Sequence, residues 1–155
     1  MAVKFTGTHY RTLDSKGRLS LPPSWLQALA KNAEEEKRPA ASFWLTTLYN
    51  RITAYMPGEW ENIIDDLCSI KTPNQKLANF KTRFIGLGEE MIPDAQGRIR
   101  LPQSLCRAAG LTKNIVLVGM MKNFEIWDEG RFENLAENTE DVANELSASG
   151  INIIL

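Results

Sequence analysis

Two hydrophobic periods run through the 155-residue chain, and both occur twice in the same order. Leu19 and Leu21 alternate with Arg18 and Ser20, and Ile99 and Leu101 alternate with Arg98 and Arg100. This period of two predicts a short half-buried strand in each place, with the arginines on the outward face. Proline follows each strand: Pro22-Pro23 leads into SWLQALA and Pro102 into QSLCRAAGL, so a short helix starts at each, the second stopped by Gly110. FWLTTLYNRITAYM and NIVLVGMMKNFEIW then read as strand pairs, with Asn50 and Lys122-Asn123 at their turns. A helical period closes each unit. Trp60, Ile63, Ile64, Leu67 and Cys68 form one apolar stripe, and Phe132, Leu135 and Ala136 a weaker one. The predicted class is α+β, with strand, turn, strand, short helix, hairpin and helix performed twice.

The duplication is visible in the letters as well as in the pattern. At an offset of 80, Leu13–Ala28 and Pro93–Ala108 share seven identities in sixteen positions; further on the offset becomes 72, with Tyr55 over Trp127 and Trp60 over Phe132. The change places a longer connection in the first unit around KNAEEEKRPA, whose charges and Pro39 predict a surface loop. Between the units, TPNQKLANFKTRFIGLG predicts a helix capped by Thr72, with Pro73 at its first position and Leu77, Phe80 and Phe84 on its buried side. Lys76 and Arg83 share another face, either solvated or open to a polyanion. The predicted organisation is residues 1–70 and 89–137 as two repeats, 71–88 as a connecting helix and 138–155 as an acidic tail.

An apolar fraction of 43% supports a real core, and no apolar run approaches the roughly 20 residues of a membrane span. With no leader pattern in MAVKFTGTHYR, a cytoplasmic protein is expected. Cys68 and Cys106 stand apart without a CxxC spacing and are expected as buried thiols rather than a disulfide. His9 is the single histidine, which leaves no zinc ligand set and no Ser/His or Cys/His pair, and no glycine-rich phosphate loop is present. No metal, cofactor, small-molecule substrate or enzymatic activity is expected. Net charge is only −1, but up to Lys122 the chain carries 17 basic and 11 acidic residues, whereas the remainder carries one and eight. The basic body favours a polyanionic partner; the acidic end is either a solvated helix or a tail that tunes partner binding.

The chemistry concentrates in DSKGR (14–18) and DAQGR (94–98). Gly17 and Gly97 supply the positive φ of a tight turn, and Asp14 and Asp94 can accept backbone N–H bonds across it. Arg18 and Arg98 then either pair back to aspartate or project outward. Arg11 and Lys16 add charge to the first copy, and Arg100, with Arg107 farther on, to the second. Rigid loops carrying guanidinium groups suit phosphates and guanine edges in a duplex, and the scarcity of aromatics beside them disfavours stacking on single strands. Asp14 and Asp94 as paired hydrolytic carboxylates have no supporting histidine or metal set.

With LDSKGRLSLP and PDAQGRIRLP in tandem, AYMPGEWE in the first unit, and GLT, LVG and FEIWDE in the second, the chain resembles the MraZ family of bacterial transcriptional regulators from Phe5 to about Leu135. The resemblance implies two AbrB/SpoVT-like swapped-hairpin β-barrel repeats forming an intramolecular pseudo-dimer, assembly into rings, and nucleoid-associated binding to short direct repeats in promoter DNA. The implied role is repression of the division and cell-wall gene cluster that begins with the regulator's own gene. Carried over, the DNA-binding residues are Arg18 and Lys16, then Arg98 and Arg100, with Arg11. The chain reads Phe5-Thr6-Gly7 where the family often has Phe-Arg-Gly. An alternative is a protein-interaction module of the swapped-hairpin antitoxin type, working through the acidic stretch 125–145 and the terminal INIIL; that terminus could equally pack on a neighbouring subunit.

Overall fold

The strands that the period-2 pattern predicts find their partners across the two units rather than within them. The computed structural model describes residues 3–71, 73–135 and 142–153. The first unit contains β1 (Thr8–Thr12), β2 (Arg18–Ser20), α1 (Pro23–Glu35), β3 (Phe43–Leu48), β4 (Arg51–Tyr55) and α2 (Pro57–Cys68). After α3 (Gln75–Gly86), the second contains β5 (Glu89–Met91), β6 (Arg98–Arg100), α4 (Gln103–Ala108), β7 (Asn114–Gly119), β8 (Phe124–Asp128) and α5 (Glu129–Glu133), followed by α6 (Val142–Ala148). An antiparallel sheet runs β1-β7-β8-β4-β3-β5, and β2 pairs with β6 in a separate two-stranded ribbon. Thus β1 of the first unit edges the second unit's hairpin, and β5 of the second edges the first's.

The registers are those of a pseudo-two-fold axis. In the ribbon Leu19 faces Ile99, and in the sheet Thr53 faces Glu125. These pairs are separated by the two alignment offsets, so each residue on the axis faces its own counterpart. Thr53 Oγ1 is buried without a hydrogen-bond partner among the described residues.

The main core lies between the ribbon and one face of the sheet. Leu19, Leu21, Ile99 and Leu101 point down from the ribbon onto Ile52, Ala54, Phe124 and Ile126 of the central strands. Trp25 of α1 is wholly buried; its ring packs 5.6 Å from Phe5 and 4.7 Å from Phe124, and its Nε1–H donates to Thr6 O at 2.9 Å. Phe5, preceding β1, is held by mutual backbone bonds with Met121, each 2.9 Å. That crossing needs Gly119, where a Cβ would stand 2.5 Å from Phe5 O. A second cluster of Tyr55, Trp60 and Phe84, with Trp44 stacked 5.0 Å from Trp60, joins the opposite face of the sheet to α2 and α3.

Several expectations change. KNAEE is helical rather than loop: α1 runs on to Glu35, seven residues longer than α4, because Asn32 and Ala33 are buried and Glu36 is bonded both to Asn32 Nδ2 (2.7 Å) and to Gly58 N (2.9 Å) at the start of α2. Helix α3 is capped by Asn74, whose Oδ1 accepts from Leu77 N at 2.8 Å; Thr72 lies outside the described residues. Only Phe84 of its apolar stripe is buried; Leu77 is 43% exposed and Phe80 38%, although the Phe80 ring stacks 5.4 Å from that of Phe84. Cys68 is exposed at the last turn of α2, while Cys106 is half-buried. On α5, Phe132 is half-buried against Trp127; Leu135 lies beyond the end of the helix and is exposed, and Ala136 lies outside the described residues.

Candidate nucleic-acid interface

The two turns that join β1 to β2 and β5 to β6 match bond for bond. In the first, Asp14 Oδ1 accepts from Lys16 N (2.8 Å) and Arg18 N (2.9 Å), and Gly17 N donates to Asp14 O at 3.0 Å. In the second, Asp94 Oδ1 accepts from Gln96 N and Arg98 N, both at 2.9 Å, and Gly97 N donates to Asp94 O at 2.9 Å. Both glycines take the left-handed region, with φ of 77° and 75°. Each aspartate thereby closes its turn as an Asx turn.

The arginines do both things that the sequence left open. Arg18 Nε bonds Asp14 Oδ2 at 2.6 Å and Arg98 Nε bonds Asp94 Oδ2 at 3.1 Å. This fixes each guanidinium on its turn, while no hydrogen bond of either Nη1 or Nη2 is found among the described residues. Backbone bonds from Arg18, then its guanidinium, bring the Asp14 carboxyl down to about 2, and Asp94 is lowered first by its backbone bond from Arg98. Both carboxylates are therefore charged at neutral pH.

On the ribbon, the antiparallel register sets Arg18 directly across from Arg100 and Ser20 across from Arg98. The inward residues Leu19 and Ile99 are buried, so all four polar side chains share the outward face. Two guanidinium groups directly opposed on one face repel each other. A polyanion over the ribbon removes that penalty. Lys16 is exposed at the tip of the first turn. Arg11 is used differently: its Nε donates to Ser20 O and its Nη1 to Tyr10 O, both at 3.0 Å, so it ties β1 to the end of β2.

The two copies rest on different floors. Leu26 of α1 lies under the second turn so closely that a Cβ on Gly97 would stand 2.5 Å from Leu26 Cδ1. Its counterpart under the first turn is Cys106, and there a cleft of about 570 Å³ opens between Lys16, Gly17, Glu89, Arg100 and Cys106. Sequence reading passed over this difference, although the alignment that pairs the turns also sets Leu26 over Cys106. Burial raises the Cys106 thiol above its ordinary value, which keeps it protonated beneath the loop.

Over most of its length the chain is similar to known proteins. A family model described as "MraZ protein, putative antitoxin-like" matches residues 85–149. A transcriptional regulator MraZ of Nitratidesulfovibrio vulgaris strain Hildenborough is 40% identical over 148 residues, covering 95% of this chain and 96% of the relative. The chain belongs to the MraZ family. A second MraZ regulator, from N. vulgaris strain Miyazaki F, is 39% identical across 97% of this chain and 99% of its own, and one from Acidithiobacillus ferrooxidans is 33% identical across 86% and 88%. The MraZ family model alone spans only the second unit and α6, whereas these MraZ relatives span both units. Membership carries a role in transcription regulation.

Proposed function

We propose that the chain is a sequence-specific repressor that grips double-stranded promoter DNA with its two Asp-Gly-Arg turns and the ribbon between them. The observation that carries this reading is the outward face of β2 and β6, where Arg18, Arg98 and Arg100 gather around turns that hold Arg18 and Arg98 by Nε. A two-stranded ribbon fits the B-DNA major groove, and a guanidinium anchored at Nε still offers two nitrogens to phosphate or to guanine O6 and N7. In residue terms, Arg18 and Lys16 engage DNA first, then Arg98 and Arg100, while Arg11 sets the β1–β2 angle. The crossed strands β1 and β5 support the swapped-hairpin pseudo-dimer. The partner DNA is short direct repeats upstream of the division and cell-wall cluster, bound in the cytoplasm at the nucleoid by a ring of copies. The ring raises the affinity of a chain with little net positive charge by presenting several ribbons at once. Repression follows from exclusion of the polymerase.

The test is a titration of a fragment from upstream of the chain's own gene across a salt series. For Arg18→Ala we expect weaker binding and a log affinity versus log salt slope shallower by about one phosphate contact, on a scale of about −0.9 per phosphate. Unchanged affinity and slope would remove Arg18 from the interface.

A further inference from the structure

The cleft under the first Asp-Gly-Arg turn has a closed counterpart under the second, and the pseudo-two-fold axis allows the two places to be compared residue by residue. At the alignment offset of 80, Cys106 stands for Leu26, Met91 for Arg11, Arg100 for Ser20 and Lys16 for Gln96. Under the second turn, Leu26 fills the space against a buried Gly97, and Arg11 seals the side by donating to Ser20 O at 3.0 Å. Under the first, the shorter Cys106 leaves the space open: a Cβ on Gly17 would meet only Leu101 O, at 3.1 Å. Met91 has no donor with which to close over the strand as Arg11 does. The same replacements that empty the place also add positive charge to it.

The open cleft, about 570 Å³, has the size and make-up of a small-molecule site. Met91, Leu101 and Cys106 supply apolar lining, and burial keeps the thiol neutral. Lys16 and Arg100, both exposed, supply positive charge, with Glu89 as an acceptor on the β5 side. Among the described residues neither cation has an ion-pair partner, the turn carboxylates being taken by Arg18 and Arg98. A DNA phosphate would use the cations but not the apolar lining beneath the turn; an organic anion uses both.

We propose that this cleft is an effector site for a small organic anion, an apolar body bearing a carboxylate or phosphate, whose binding competes with DNA for Lys16 and Arg100. The anionic head pairs with the two cations, and the body covers Met91, Leu101 and Cys106. The competition rests on the DNA reading given above; the binding does not. Linkage then requires DNA to weaken the anion by the same factor by which the anion weakens DNA.

Calorimetric titration of the full chain with 4-hydroxyphenylacetate and with phenyl phosphate tests the site, and acetate and inorganic phosphate serve as head groups without a body. At least one aromatic anion is expected to bind more tightly than its bare head group, and the better of the two identifies the preferred head. Cys106→Leu, which copies the filled side, and Arg100→Ser, which copies its charge, are each expected to weaken that binding by about tenfold or more. In a DNA titration at fixed ionic strength, the same probe is expected to weaken the wild type and leave Cys106→Leu unaffected; without probe, that variant keeps wild-type DNA affinity. Arg100→Ser, on the exposed face of the ribbon, keeps the test valid if Cys106→Leu does not fold. Absence of binding by both aromatic anions, binding no tighter than that of the bare head groups, or binding untouched by both variants would each overturn the proposal. So would a Cys106→Leu chain that loses DNA affinity without any probe, which would make the cleft a phosphate contact of the duplex. A probe that binds yet leaves DNA affinity unchanged overturns the competition, unless Arg100→Ser also keeps full DNA affinity, in which case the DNA reading fails at that residue. Arg18 lies outside the cleft, so Arg18→Ala is expected to bind the probe as the wild type does, and the two readings fail separately.

Discussion

Each turn arginine serves two partners with different nitrogens: Nε belongs to the aspartate, and Nη1 and Nη2 face outward. The aspartate is consequently a positioning group, and its carboxylate has to stay ionised to do that work. Because the folded Asp14 carboxyl lies near 2 and an ordinary one near 3.9, its stabilising contribution is complete above about pH 4 and is lost as pH falls through about 2. We expect urea midpoints of the wild type and Asp14→Ala to differ by a constant amount above pH 5 and to converge toward pH 2. A gap that stayed constant to pH 2 would contradict the bonded carboxylate. The turn was legible in the sequence because every partner lies within four residues. The use of Arg11 was not: its acceptor Ser20 O is on the neighbouring strand, and only the β1–β2 angle brings them together. Cys68 shows the same limit from the other side, since a helical stripe gives the apolar face but not where its cover ends.

At the scale of elements, hairpins and proline-started helices followed from local rules, whereas lengths and edges followed from tertiary partners. Five charged or amide letters disguised the last turns of α1, which persist because Glu36 is anchored at the start of α2. Strand β1 likewise depends on a residue far away. With Phe5 O 2.5 Å from the site of a Gly119 Cβ, Gly119→Ala must push the N-terminal segment off β7. Backbone cannot yield as a flexible side chain can, and Phe5 and Trp25 would lose their seal. We expect a loss of about 2–4 kcal/mol in chemical denaturation, comparable with a large core truncation, together with faster amide exchange in Thr8–Thr12. Exchange confined to wild-type rates there would show that the crossing tolerates a methyl group.

The whole molecule is woven rather than beaded. Every long-range strand pair except the two local hairpins joins one unit to the other, including β4 with β8, β2 with β6 and both outer edges. The repeat was legible from the letters, and so was its class. How far the units interpenetrate was not, because a repeated pattern fits two separate domains as well as two interlaced ones. Fragments 1–71 and 72–155, made separately, are expected to lack cooperative thermal unfolding and to regain it when mixed. Cooperative melting of either alone would mean that a unit can complete its own sheet.

The axis pair Thr53 and Glu125 has a consequence for how such a chain arises. Had the two units been identical copies in separate molecules, the residue on the axis would have met itself, and a glutamate there would have faced a glutamate. Here Glu125 instead accepts from Arg51 of the other unit at 2.7 Å, with the Arg51 guanidinium 5.0 Å from the centre of the Trp127 ring, and the position of Arg51 in the second unit is held by Asn123. The bond takes its arginine from one unit and its glutamate from the other, where the counterpart positions hold Asn123 and Thr53. It also works as a ratchet: a chain of two first units would leave Arg51 without its carboxylate, and one of two second units would set two carboxylates face to face. As the two units now stand, neither can replace the other at their shared centre.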